Sequence, residues 1–476
     1  MRTAQKMLIG GHLVGANQWL EVLDPYSGEP LDHVARGTAQ HVDQAVAIAR
    51  HGADLMREMP LSQRAHVLKQ VAHLIRQEQE ALITLLVRET GKRLVEARAE
   101  VERTIILFEL AAGACHHPRA TQFSPETFSD GVSRFGFWAR EPRGVVVSIL
   151  AFNLPLVSAA QKTAPAIAAG NAILLKPSTD APLTCLRLGL LLYRAGLPTE
   201  ALSILTGKGD EIGDALAKHE AVDLLTFTGS REVGLKLPAN ASSKQIWMEL
   251  ESVGGVVLTE SASVERVAEK VACCGFIMAG QSASAIQHVW VPSKLRQAFL
   301  DHLIPRLQAL QVGDPMDEAT TLGPLINPNA LERVSRWVQE AIEGRAKVLL
   351  GAQAQPPFYL PTVLEEVPTN CMLYREAVFG PVVLLHTYDD LMALVPTLNA
   401  LEPGLHLGLF TRDLHEAFQV ARRVRALSVH INEVPLSPTD PLIKGDLQEH
   451  HMCLEDMRSR IEQMSLPKYV VFSAME

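Results

Sequence analysis

The 476-residue sequence lacks the features that would commit it to nucleic acid, a membrane or an oxidising compartment. Its 44 Lys and Arg are outnumbered by 53 Asp and Glu, for a net charge of -9, and the basic residues never gather into a run. Binding a phosphate backbone takes clustered Lys and Arg, so nucleic acid is not an expected partner. The longest apolar stretches, "GVVVSILAF" and "LRLGLLLYRAGL", are shorter or more interrupted than the roughly 20 apolar residues of a bilayer-spanning helix, so no membrane partner is expected. The opening segment "MRTAQKMLIGGHLVGANQWLEV" has no long apolar core, and no secretory signal is expected. Six cysteines, Cys115, Cys185, Cys273, Cys274, Cys371 and Cys453, show neither metal nor disulfide spacing, which points to a reduced, cytoplasmic protein. The adjacent pairs His116–His117 and His450–His451 also lack zinc-ligand spacing, and helix neighbours do not face one another, so no metal is expected. Internal repeats and low-complexity segments are absent.

What is present is the pattern of a globular α/β protein. At 47% hydrophobic and 20% charged residues, the chain can bury a large core, and its length suggests two or three domains at about 150 residues each. Apolar residues recur at helical spacing over 39–59 and over 61–92, and Gly91 fits a helix stop. From Pro142 the texture changes. "RGVVVSILA", "NAILLKPS", "ALSILTG" and "VDLLTFTG" read as short strands alternating with helices, which predicts βαβ units and a parallel sheet. A second alternation begins near Val256, so a two-domain α/β architecture is expected, with a boundary near 248–256. "EVPLSPTDPLIKGD" reads as a loop before a C-terminal segment. Parallel sheets place ligands at the carboxyl ends of their strands.

Several residues at such ends could carry chemistry. "TFTGSREVG" joins a strand to a helix with Gly229 and Gly234 framing the turn. It is either a plain tight turn or a pyrophosphate site built from free backbone N–H groups. Lys176 in "LLKPS" is either a solvated turn charge or a cation near a ribose or phosphate. Asn153 in "AFNLPL" reads locally as a turn former, and Glu249 in "WMELESVGG" as a solvated charge after a strand.

Seven segments in order tip these readings. "VRETGKRLVEARAEV", "AFNLPL", "KTAPAIAAGNAILLKPS", "FTGSREVG", "VGDPMDEATTLGPLI", "VFGPVV" and "GLFTRDLHEAFQVARRV" resemble the aldehyde dehydrogenase superfamily, from about residue 8 to Val471. The resemblance implies the aldehyde dehydrogenase fold. It implies a Rossmann-like dinucleotide-binding domain over 1–118 and 141–250, and an α/β catalytic domain over 251–430. An oligomerisation arm and C-terminal segment over 119–140 and 431–476 would build homodimers or homotetramers. The implied cofactor is NAD or NADP and the implied substrate a small-molecule aldehyde. Lys176 and Ser178 match the adenosine-ribose segment, and Gly229 and Ser230 the pyrophosphate turn. Thr179 stands where NAD-preferring members carry a glutamate. A carboxylate there would repel a 2′-phosphate and threonine would not, so NADP is tolerated and NAD is not excluded. Phe379 matches the residue that lies against the nicotinamide.

Oxidising an aldehyde needs a thiolate that adds to the carbonyl, donors for the oxyanion, a hydride acceptor, and a base that activates water. By the resemblance Asn153 is the oxyanion donor and Glu249 the base. The nucleophile position falls in "AGQSASAIQHVWV", where a cysteine is expected and Ala283 stands. Alanine cannot add to a carbonyl. Ser282 and Ser284 flank it and are expected to point elsewhere, and Cys273 and Cys274 are expected to fill core. Further departures are Glu251 in place of a glycine, Ala377 in place of the glutamate that holds the nicotinamide ribose, Leu427 in place of a glycine, and a degraded C-terminal signature in "TDPLIKGDLQEHHMCLED". Covalent catalysis is therefore expected to be impaired or lost, as in a pseudoenzyme, with cofactor binding weakened or lost. Two other readings stand beside this one: an active dehydrogenase whose cysteine was replaced by alanine, and an oligomeric scaffold or nucleotide-binding protein.

Overall fold

The computed structural model describes residues 4–116, 121–123, 134–240, 244–283, 285–401, 404–435, 443–444, 453–454 and 457–473. The helical spacing after residue 38 produces α1 (Ala39–Glu58), which buries Val42, Ala45, Val46, Ala49, Ala53 and Met56 along one stripe. The pattern over 61–92 does not form one helix. It breaks at Glu78 into α2 (Leu61–Gln77) and α3 (Gln79–Thr90). The Glu78 carboxylate is shared by Arg187 and Arg194, so tertiary ion pairing fixes a break that local periodicity does not show. Gly91 ends α3 in the left-handed region at φ 70°, as expected of a helix stop. The next helix, α4 (Leu94–Cys115), lines the molecule's central cleft.

Seven strands form a first sheet in the order Gln245–Leu250, Leu224–Gly229, Val145–Ile149, Ala172–Lys176, Leu202–Ile204, Met7–Ile9, His12–Val14. The five strands from the alternating half pair in parallel, as the alternation of short strands with helices predicts. Met7–Ile9 and His12–Val14 close the edge antiparallel; at three residues each they are too short to carry a period in sequence. The helices of this half are α5 (Pro155–Ala169), α6 (Leu183–Arg194), α7 (Asp214–Lys218) and α8 (Arg231–Asn240). Glu249 lies inside the strand Gln245–Leu250, not after a strand as its sequence context suggested.

The second sheet runs Lys347–Leu350, Thr362–Glu365, Val382–Tyr388, Ile286–Pro292, Val253–Leu258, Leu405–Phe410, Ser428–Ile431. Only its Lys347–Leu350 edge is antiparallel. Around it lie α9 (Val264–Cys274), α10 (Arg296–Gln308) and α11 (Pro328–Glu343). The chain leaves the first sheet at Leu250 and enters the second at Val253, so Glu251 and Ser252 sit on the crossover between them. A third sheet pairs Ser465–Ser473 antiparallel with Arg134–Pro142, with Thr121–Phe123 on the outer edge. Trp138, Tyr469 and Phe472 remain exposed on it, and the Trp138 and Tyr469 rings meet at 4.9 Å. Most of the loop "EVPLSPTDPLIKGD" and the degraded signature lie outside the described residues, as do His117, His450 and His451.

The cysteines correct one expectation. Cys273 is exposed and Cys274 half-buried, so neither is a sealed core residue. The buried stripe of α9 is Val267, Ala268, Val271 and Ala272, and residue 273 is turned off it.

A histidine pair lies in the second sheet, His288 buried and His386 half-buried. His288 and His386, on neighbouring strands, join through Nδ1 and Nε2 at 3.0 Å, and the His288 ring stacks on Trp290. Burial holds His288 well below the usual histidine range and pushes His386 down to about 4. The unfolded chain binds protons at these sites from about pH 6.5 downward while the folded chain does not. Their contribution to stability is therefore full above pH 6.5 and is lost as pH falls from 6.5 toward 4. Thermal unfolding followed from pH 7.5 to 4.5 should show this acid limb. His386→Phe should flatten it relative to the parent protein.

Candidate functional site

The crossover between the two sheets opens a cavity of about 350 Å³ at the carboxyl ends of the strands. Asn153, Lys176, Ser178, Thr179, Gly229, Ser230, Glu249, Ala283 and Phe379 all line it, so residues up to 226 positions apart in sequence meet in one cleft. Glu251, Leu427 and Ser282 line it as well. Ser284 lies outside the described residues.

The loop that carries Ala283 is sharply coiled. Met278, Ala279 and Gly280 adopt φ of 47°, 54° and 75°, a left-handed turn that strains the two non-glycine residues. Gly280 is needed there: a Cβ would lie 2.0 Å from the Gly380 carbonyl oxygen. Gln281 pins the turn, donating to the Met278 carbonyl at 3.1 Å and accepting from the Ile326 amide at 2.9 Å. Asn153 Nδ2 donates to the Gln281 carbonyl at 3.1 Å, which leaves its second N–H for the cleft. Ser252 Oγ donates to the Ala283 carbonyl at 3.0 Å. The framework of a reactive loop is built and braced, yet its tip bears a methyl group.

Glu249 is pinned against the wall. Its carboxylate accepts from Lys162 Nζ at 2.7 Å, Thr228 Oγ1 at 3.0 Å and Arg460 at 3.4 Å. Lys162 comes from α5 and Arg460 from the helix Met457–Gln463, and both side chains are at most 3% exposed. Sequence reading missed both cations. Lys162 is one letter in an apolar helix, and nothing local shows that a C-terminal arginine returns to this strand.

On the adenosine side, Lys176 is buried to 3% exposure and its ammonium is lowered to about 8 by that burial, against the pull of Asp180 and Asp210. Among the described residues it donates to the Pro177 carbonyl at 3.2 Å, so two further N–H donors remain for ligand hydroxyls or phosphate. Thr179 turns its hydroxyl to the Gly207 carbonyl at 3.3 Å, and Ser178 Oγ accepts from the Asp180 amide at 3.4 Å. These residues fit an adenosine ribose. The other end fits less well. Phe379 sits at φ 45° with its ring edge toward Phe152, while the nearby Ala377 is buried and brings no polar group. Glu251 has its carboxyl raised to about 7, by burial first and then by Glu376, with Arg333 and the Arg231 backbone amide acting the other way.

Arg103, on α4, is a third cationic side chain that the sequence does not single out. It lines the same cavity, half-buried, and no carboxylate among the described residues pairs with it. Among the described residues no group of three His, Cys, Asp or Glu could hold a metal, and no helix is long and apolar enough to cross a membrane.

Comparison with known proteins agrees with this geometry. The aldehyde dehydrogenase family pattern matches residues 14–445. The chain is 32% identical over 467 residues to a 3-sulfolactaldehyde dehydrogenase of Priestia aryabhattai, covering 98% of each protein. Its structure superposes on aldehyde dehydrogenase 21 of Physcomitrella patens, solved with its reaction product succinate, with a TM-score of 0.95 and 30% identity over 99% of each chain. It also superposes on a glyceraldehyde-3-phosphate dehydrogenase of Methanocaldococcus jannaschii complexed with NADP, with a TM-score of 0.91 and 31% identity over 96% of this chain and 100% of that one.

Proposed function

The chain belongs to the aldehyde dehydrogenase family, and from that premise we propose that it is a member whose cleft still binds small anionic aldehydes or acids but no longer oxidises them covalently. The observation that carries this reading is Ala283 at the tip of an intact, strained and fully braced loop. A methyl group has no lone pair, so the hemithioacetal step has no nucleophile. The pinned Glu249 supports the same reading: a carboxylate held by two cations and a hydroxyl is a poor acceptor for a proton from water.

Arg103 supports the substrate class. A half-buried guanidinium with no carboxylate partner on a cavity wall suits a carboxylate, sulfonate or phosphate tail. The sulfolactaldehyde, succinate and phosphoglyceraldehyde ligands named for the similar proteins all carry such a tail. The dinucleotide of the family, NAD or NADP, would meet Lys176, Ser178 and Thr179 on the adenosine side, Gly229 and Ser230 at the pyrophosphate turn, and Phe379 beside the nicotinamide, with binding weakened or lost in this chain. When bound, that group accepts hydride; in this chain Asn153 would donate to the carbonyl oxygen of an aldehyde lying over Ala283. The exposed Trp138, Tyr469 and Phe472 support a homodimer or homotetramer built through the third sheet. The free cysteines suit a reducing, cytoplasmic setting.

Calorimetric titration with succinate tests the anion pocket. The parent protein should bind it, and Arg103→Met should weaken binding about tenfold or more, the scale of one charge-assisted hydrogen bond. Equal affinity in both proteins would remove Arg103 from this role. Incubation of the parent protein with anionic aldehydes and NAD or NADP should give no reduced nucleotide above background.

A further inference from the structure

Glu251 stands where the chain crosses from one sheet to the other, next to Leu250 at the end of one strand and Ser252 before the next. Both neighbours are fixed. Leu250 pairs with Gly229, and Ser252 bonds the Ala283 carbonyl. The side chain at 251 therefore has the cleft to enter, and it does line the cavity. The backbone amide of Arg231, the first residue of α8, favours its charged form. That amide follows the Gly229–Ser230 turn and points outward from the positive end of a ten-residue helix.

We propose that Glu251 is a built-in competitor for the phosphates of a dinucleotide: its carboxylate places a negative charge in the cleft at the start of α8, so the cleft rejects NAD and NADP while that charge is present. The proposal rests on the reading that the cleft descends from a dinucleotide site, and it assigns the weakened binding to one residue. Repulsion between the carboxylate and a pyrophosphate supplies the electrostatic part, and the side chain's volume supplies a steric part.

The groups facing Glu251 are Arg333 from α11, Glu376 from the segment after Met372–Arg375, and the start of α8 at Arg231. Arg333 is engaged elsewhere, donating to the Val378 carbonyl at 2.7 Å and lying over the Trp337 ring at 5.2 Å. Its positive charge favours the ionised carboxylate, and Glu376 opposes it. Protonating Glu251 removes the charge and leaves the volume, so nucleotide binding should strengthen as pH falls from 8 to 6.

The experiment titrates NAD and NADP separately into the parent protein, Glu251→Gly and Glu251→Gln, following heat and thermal unfolding. Glu251→Gly should bind at least one nucleotide tenfold or more tightly than the parent at pH 8. Glu251→Gln should gain in part, which separates charge from bulk, and should lose the pH dependence that the parent shows. Parent binding as tight as that of Glu251→Gly overturns the proposal. So does failure of both variants to bind while their unfolding temperatures match the parent's. The succinate titration stands apart from these outcomes. If succinate binds and the variants do not gain nucleotide, the competitor idea fails and the anion pocket stands; if neither ligand binds any form, both readings fail.

Discussion

Replacing Glu249 by alanine should cost the protein about 3–5 kcal/mol of stability, the scale for removing one partner from a buried ionic group. The reason is what remains behind. Lys162 and Arg460 are at most 3% exposed and would be left as two unpaired cations in one wall of the cleft. Urea unfolding of the parent and of Glu249→Ala measures the difference. A double variant, Lys162→Met with Glu249→Leu, should recover part of the loss, because a well-packed apolar pair avoids desolvating charge. A loss near 1 kcal/mol or less in Glu249→Ala would show that water reaches the site and that the carboxylate is free to act as a base. The helix Met457–Gln463 shares in this effect: it brings Arg460 to Glu249 and packs on α4 and α5, so loosening the wall should loosen the C-terminal segment.

The second large effect concerns the chemistry itself. Ala283→Cys should create a thiol that reacts with a thiol reagent, since residue 283 lines the cavity, yet form no reduced nucleotide from carboxylate-, sulfonate- or phosphate-bearing aldehydes. A thiolate alone supplies one of four parts, and on the proposal above Glu251 still keeps the hydride acceptor out. Combining Ala283→Cys with Glu251→Gly should raise the rate at least about a hundredfold over either single variant, because groups acting as a unit contribute together. Absorbance of the reduced nucleotide at saturating aldehyde measures this. Full activity in Ala283→Cys alone would mean that the missing thiol is the only lesion. Silence in the double variant, with nucleotide bound, would place the remaining defect at the pinned Glu249.

Much of the architecture was legible in the sequence because it is local. The period of 3.6 in residues 39–59 and the β-branched runs "GVVVSI", "NAILL" and "VDLLTF" specify their elements through the burial of one face or of both. Gly91 announces a helix end because only a residue without a side chain enters the left-handed region at low cost. The order of seven motifs identified the family, and within one of them Ala283 stands where the resemblance leads one to expect a cysteine. The cleft residues Asn153, Lys176, Ser178, Thr179, Gly229, Ser230 and Phe379 were found by the same route, and the fold does bring them together.

What the sequence could not supply depends on distance in the chain. Glu78 breaks a helix because two arginines more than a hundred residues away bind it. Arg460 meets Glu249 across 211 residues. Arg103 matters only because α4 runs past the cavity, and Cys273 is exposed only because the buried stripe of α9 passes to its side. Glu251 reads in sequence as a departure from a glycine. The tertiary structure puts it on the crossover where it lines the cleft, since two sheets must be in place before there is a cleft to line. Residue type and local period determined the fold and the vacant nucleophile. Which charges face which was decided by packing, because electrostatic partners are chosen in space and leave no period in the chain.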